Sequence, residues 1–186
     1  MSRFKLKTAS LLLALTLSGC ATMESRTTDH ADDACKMLTE NKDWKKATYR
    51  AWQKWGVPIS VQLSVVKHES SFNGDASAKT STAYGYAQAL SGTFNDYKKD
   101  TNNHGANRGS FYDSTDFIGW YFSNTIKQIG HNPYDAAVFY LAYHEGIGGY
   151  KKRTHFKKKW LTDKSIEVQR LADKYRVQIN KCRIKI

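Results

Sequence analysis

Two prolines, three cysteines and no apolar run long enough to cross a bilayer leave this 186-residue sequence outside several large structural classes. So little proline, with 12 glycines in no fixed period, excludes a collagenous or polyproline chain. Three cysteines are too few for a miniature fold built on disulfides, or for a four-cysteine zinc site within one chain. The apolar run at residues 9–15 falls well short of the ~20 residues a helix needs to span hydrocarbon. What is present is ordinary for a globular protein: 40% apolar and 13% aromatic residues, which exclude disorder throughout. A chain of this size buries about two thirds of its unfolded surface, enough for a single domain without a structural metal.

The familiar catalytic signatures are also missing. There is no P-loop, no dinucleotide fingerprint and no Gly-x-Ser-x-Gly elbow. Two His-Glu dipeptides, His68-Glu69 and His144-Glu145, begin like a zinc-protease helix, but the second histidine of that motif is replaced by Phe72 and Gly148. No metal and no organic cofactor are expected.

At the N-terminus Arg3, Lys5 and Lys7 precede the short apolar run, the pattern of a signal peptide over residues 1–19. Leu17-Ser18-Gly19-Cys20 resembles the bacterial lipobox, whose cysteine is acylated and becomes the new N-terminus. A free cysteine behind an ordinary signal is the alternative. The lipobox implies a lipidated tether over residues 20–30, a membrane held through that lipid, and a domain over 31–186. Ala21 after the cysteine points to the outer membrane, periplasmic side, with the inner membrane or cell surface as alternatives.

Charge is uneven. Residues 151–186 hold 13 Lys or Arg against three acids, whereas residues 20–150 hold 13 against 14. Outside the cytoplasm such a region meets anionic wall polymers or lipid headgroups rather than nucleic acid. Lys151, Lys152, Arg153, Lys157, Lys158 and Lys159 are therefore candidates for docking on an anionic surface, with a merely solvated face as the alternative.

Periodicity predicts a mainly α fold. Ala31, Ala34, Cys35 and Leu38 share one stripe, and residues 44–55 form a second helix rich in tryptophan. Pro58 and Pro133 are expected at the first positions of helices over 58–69 and 133–145. Short helices are expected around 84–100, and another over 114–129. A last helix after Thr162 or Asp163 carries Val168, Leu171, Tyr175, Ile179 and Cys182 on one face. The loop near 73–83 leaves room for one small hairpin. With Cys20 lipidated, Cys35 and Cys182 are the remaining thiols in an oxidising compartment, so they are expected to form a disulfide or to stay as two buried thiols. Core packing is the default for the tryptophans, and none is assigned to a ligand.

Glu69 ends a helix whose preceding residues include Leu63, Val65 and Val66, and apolar packing there is the setting that keeps a carboxyl protonated for general-acid work. His68-Glu69-Ser70-Ser71-Phe72-Asn73, then Ala83-Tyr84-Gly85-Tyr86-Ala87-Gln88 with Thr93-Phe94 behind it, then Leu141-Ala142-Tyr143-His144-Glu145-Gly146, together resemble the soluble lytic transglycosylases. The resemblance covers about residues 56–150. The family pattern reads Glu-Ser-x-Phe, Gly-Leu-Met-Gln and Ala-Tyr-Asn-x-Gly. Here Tyr86-Ala87 replaces Leu-Met, His144 replaces the Asn, and Glu145 replaces a small residue.

The resemblance implies a lysozyme-like single domain with a substrate cleft, peptidoglycan as substrate and Glu69 as the sole catalytic acid and base. It also implies substrate contacts from Ser81, Tyr84, Tyr86, Gln88, Tyr143, His144 and Glu145, with Tyr84 and Tyr86 offering faces to sugar rings. The expected reaction cleaves the bond between N-acetylmuramic acid and N-acetylglucosamine without water, leaving 1,6-anhydro ends. Two alternatives stay open: a goose-type lysozyme-like hydrolase using Glu145, Asp75 or Asp96 as base, and a wall-binding lipoprotein without turnover.

Overall fold

The computed structural model describes residues 27–182, so the expected signal peptide and the lipidated Cys20 lie outside the described residues. Within them the fold is helical: α1 (Ala34–Glu40), α2 (Lys42–Trp55), α3 (Ile59–Ser70), α4 (Ser91–Asp100), α5 (Phe111–Ile129), α6 (Ala136–Lys151), a 3₁₀ turn (Thr154–Lys157) and α7 (Lys159–Lys181). No helix among the described residues is long and apolar enough to cross a membrane.

Side-chain caps set several boundaries. Asp33 accepts from Lys36 N at 3.1 Å to start α1, and Asn41 accepts from Trp44 N at 3.0 Å to start α2. α3 is the central helix. Every residue from Ile59 to Val66 is buried, so it shows no polar stripe; α2, α5, α6 and α7 pack against it.

One indole organises the core beside the central helix. Trp44 stacks on Phe111 with ring centroids 4.1 Å apart and on Phe72 at 5.5 Å, while Tyr86 meets it edge-on at 5.7 Å. Phe72 lies three residues after Glu69 and Tyr86 two before Gln88, so both motif loops are fixed to the same ring.

The chain ends are joined as well. Cys35 and Cys182 form a disulfide with Cα atoms 6.1 Å apart, linking α1 to the end of α7 across 147 residues. Closing so long a loop stabilises by about 4–5 kcal/mol in the chain-entropy model. Gln178 Oε1 accepts from Ala34 N at 3.0 Å and the Tyr175 hydroxyl donates to the Ala31 carbonyl, so the seam is hydrogen-bonded too.

Several boundaries differ from expectation. Pro133 does not open a helix: Asn132 Oδ1 accepts from Tyr134 N at 2.9 Å, closing a turn through the proline, and α6 begins at Ala136. Helix α7 starts earlier than expected, at Lys159. Residues 84–89 are not helical, because Gly85 at φ 79° and Gln88 at φ 45° both leave the right-handed region. In place of a hairpin the segment makes two isolated bridges, Ser77 with Tyr84 and Tyr84 with Ala89.

Gly85 has no room for a side chain, since a Cβ there would sit 1.8 Å from the Arg108 carbonyl oxygen. Gly85→Ala is expected to destabilise the domain by about 2–4 kcal/mol, from the positive φ plus the backbone clash. Urea unfolding of the variant against the parent measures this.

Candidate active site

Glu69 is placed by the end of α3. The helix stops at Ser70, and Ser71 and Phe72 both take left-handed conformations, with φ of 50° and 61°. Two consecutive non-glycine residues in that region are strained, and the packing of Phe72 in the core holds them there. The strained exit turns the chain sharply and leaves Glu69 on the last helical turn, partly open to solvent.

Its carboxyl is pushed up to about 7 by burial, the larger influence; a hydrogen bond from the Tyr140 phenol acts the other way. The negative end of α3 also disfavours an anion at this position. No second carboxylate is among the groups that perturb Glu69.

Tyr140 and Tyr143 lie one turn apart on α6, so both reach the same side of the domain. Tyr143 donates to the Ala87 carbonyl at 2.6 Å and so ties α6 to the 85–88 turn. Burial raises the pKa of both phenols, and the charge of Glu69 adds to the rise. The expected residue set did not include Tyr140. The only signal for it in the sequence is its three-residue spacing from Tyr143 in an apolar helix. His68 Nδ1 donates to the Ser64 carbonyl at 2.8 Å, and its ring meets Tyr140 edge-on at 6.3 Å.

Beside Tyr143 opens a cavity of about 280 Å³, walled by Gln88, Leu90, Thr93, Tyr121, Tyr143, His144 and Glu145 among others. Gln88 donates its amide hydrogens to the carbonyls of Ala76 and Gly85, both at 2.9 Å, which leaves its side-chain oxygen to accept from a ligand. At Gly146, φ 71° and ψ 155° break the helical path of α6, which only glycine tolerates easily. The break follows His144 and Glu145 directly.

Of the expected ligand contacts, Gln88, Tyr143, His144 and Glu145 meet at this cavity, and three do not. Tyr86 is fully buried, edge-on to Trp44 and Phe111 and without a free face, so it is a core residue and cannot stack on a sugar. Ser81 is exposed, and its hydroxyl accepts from Ala83 N at 3.3 Å within its own loop. Tyr84 is half-buried, its hydroxyl donates to Asp75 at 3.3 Å, and the Arg108 guanidinium covers its ring at 5.5 Å.

Glu145 also departs from one expected role. Its side chain is 4% exposed, and Lys158 donates to it at 2.6 Å. Thr154 donates to its other oxygen, and His144 Nδ1 lies 3.4 Å away. These donors hold its pKa down to about 2, with Lys158 the largest influence and Thr154 next. A carboxylate so committed is a poor base for activating water. Asp75 and Asp96 are exposed and are not among the groups acting on Glu69. Among the described residues, no three His, Cys, Asp or Glu side chains are grouped to hold a metal ion.

A family model described as "Transglycosylase SLT domain" matches residues 8–182. No curated protein matches the chain.

The raised pKa of Glu69 has a consequence for stability. The fold tolerates the protonated form better, so the carboxyl's contribution is complete below its ordinary value of 4.5 and is lost as the pH rises through about 7. Glu69→Gln is therefore expected to match the parent near pH 4 and to exceed it by about 1–3 kcal/mol near pH 8. Denaturant titrations at the two pH values check this, and equal differences at both would contradict the dry carboxyl.

Proposed function

The chain belongs to the transglycosylase SLT domain family, and from that membership and the lone raised carboxyl of Glu69 we propose that it is a lytic transglycosylase of peptidoglycan. Ordinary glycosidases use two carboxylates at a set separation. Glu69 has no such partner acting on it, and Glu145, at the cavity wall, is held in an ion pair. That single observation favours a route in which the sugar supplies what the second carboxylate would.

In this reading, protonated Glu69 donates to the oxygen linking N-acetylmuramic acid to N-acetylglucosamine. As that bond breaks, the substrate's acetamido carbonyl closes on the anomeric carbon and carries its positive charge. The Glu69 carboxylate then takes the proton of the muramoyl 6-hydroxyl, whose oxygen displaces the acetamido oxygen at C1. The 1,6-anhydro ring forms, Glu69 is protonated again and no water is consumed. Burial raises the pKa of Glu69 and the Tyr140 hydrogen bond moderates the rise, while Tyr143 and Gln88 line the space for the sugar.

The reading includes a lipid anchor at Cys20 that holds the domain on the periplasmic side of the outer membrane. The Leu17-Ser18-Gly19-Cys20 motif is its support.

Mass analysis of fragments released from purified sacculi is expected to find muramoyl ends one water lighter than reducing sugar. Glu69→Gln is expected to lower the rate on the order of 10³-fold. Reducing ends would overturn the transglycosylase reading in favour of hydrolysis, and equal clearing by the variant would remove Glu69 from the chemistry.

The pH dependence follows from the acid's protonation. Activity is expected to fall about tenfold per pH unit above about 7, where Glu69 ionises. Tyr140→Phe removes the hydrogen bond that favours the charged form, so this alkaline limb is expected to move to higher pH. A pH profile of kcat/KM for both proteins measures the shift.

A further inference from the structure

Core packing explains Trp44, which is fully buried, but not Trp160, which is 55% exposed, nor Phe156, which is 70% exposed. Both belong to the segment 151–160, which leaves α6, runs through the 3₁₀ turn and enters α7. Lys151, Lys152, Arg153 and Lys157 of the same segment are exposed and form no ion pair among the described residues. Two neighbouring lysines are already engaged: Lys158 holds Glu145 at 2.6 Å and Lys159 holds Asp163 at 2.7 Å. The segment therefore presents unpaired cations beside uncovered aromatic rings.

Its position is fixed relative to the cavity. The Trp160 ring meets the His144 ring edge-on at 4.9 Å, and His144 is part of the cavity wall. Glu145, the next wall residue, clasps the segment through Thr154 and Lys158. Buried and charge-paired, that clasp holds the segment against the end of α6.

We propose that residues 151–160 form a second peptidoglycan subsite continuous with the cavity, in which the Trp160 face takes a sugar ring and the unpaired cations take stem-peptide carboxylates. The proposal rests on the reading of peptidoglycan as substrate. A pyranose presents C–H groups to an aromatic face, and stem peptides present carboxylates at intervals along the glycan, so both kinds of group on the segment find a counterpart in one ligand. A membrane surface is the competing occupant for an aromatic and basic face. The segment's contacts with two wall residues of the cavity, His144 and Glu145, favour the glycan.

The test uses the Glu69→Gln protein, which binds without cleaving. Its affinity is measured for peptidoglycan strands bearing stem peptides, for neutral N-acetylglucosamine oligomers and for phosphatidylglycerol vesicles. Trp160→Ala is expected to weaken binding to both saccharides about tenfold, and Trp160→Tyr to restore most of it. Replacing Lys151, Lys152, Arg153 and Lys157 by glutamine is expected to weaken binding only to the peptide-bearing strands and to flatten its salt dependence. Unchanged affinities throughout would overturn the proposal. Loss of vesicle binding with saccharide binding intact would overturn it as well and give the face to a membrane. Wild-type protein that binds strands through Trp160 yet releases no anhydro ends would sink the transglycosylase reading and leave this subsite standing.

Discussion

The site depends on the packing of three aromatic rings around Trp44. Phe111 comes from α5, Phe72 from the exit of α3 and Tyr86 from the turn before Gln88, and each meets the same indole. Each such pair contributes about 0.5–1.5 kcal/mol beyond the area it buries, and together they leave the loops little freedom. The catalytic candidate is thereby held to a rigid interior although it lies at a helix end, and the strained residues Ser71 and Phe72 persist because the ring beyond them cannot move.

Two glutamates that each follow a histidine show how far surroundings outweigh local sequence. Glu69 sits among apolar groups with one phenol for company, and its pKa is about 7. Glu145 has Lys158, Thr154 and His144 around it, and its pKa is about 2. The first can hold a proton at neutral pH and release it; the second is a permanent anion that fastens one piece of backbone to another. A similar division of labour separates acid from stabilising carboxylate in many glycosidases. Here the second carboxylate serves the architecture, and its charge is spent on positioning the segment that leaves α6.

Much of this was legible in the residues. The amphipathic stripes of α1 and α7 report burial directly, and Glu69 stands out because an acid closes a helix that carries Leu63, Val65 and Val66. The failures share a cause: they turn on contacts between residues far apart in the chain. Tyr86 reads as a sugar platform because nothing nearby reveals that Trp44 and Phe111 will close over it. Glu145 reads as a base because Lys158 and Thr154 come from the next element. Tyr140 goes unnoticed because its partner is 71 positions earlier. Pro133 misleads for a local reason, since the Asn132 side chain closes a turn through it before the helix can begin. Trp160 escapes the default of core packing: more than half of it is exposed, and its ring meets that of His144 on α6.

The covalent join between Cys35 and Cys182 gives the molecule a mechanical property. Any pull on the segment before α1 reaches the first helix and passes at once, through a sulfur bridge, into the last. Tension from the leading end is thus shunted along the α1–α7 seam and bypasses the α3 terminus and the loops gathered on Trp44. A load applied ahead of α1 therefore falls first on that seam rather than on the rings that hold the motif loops.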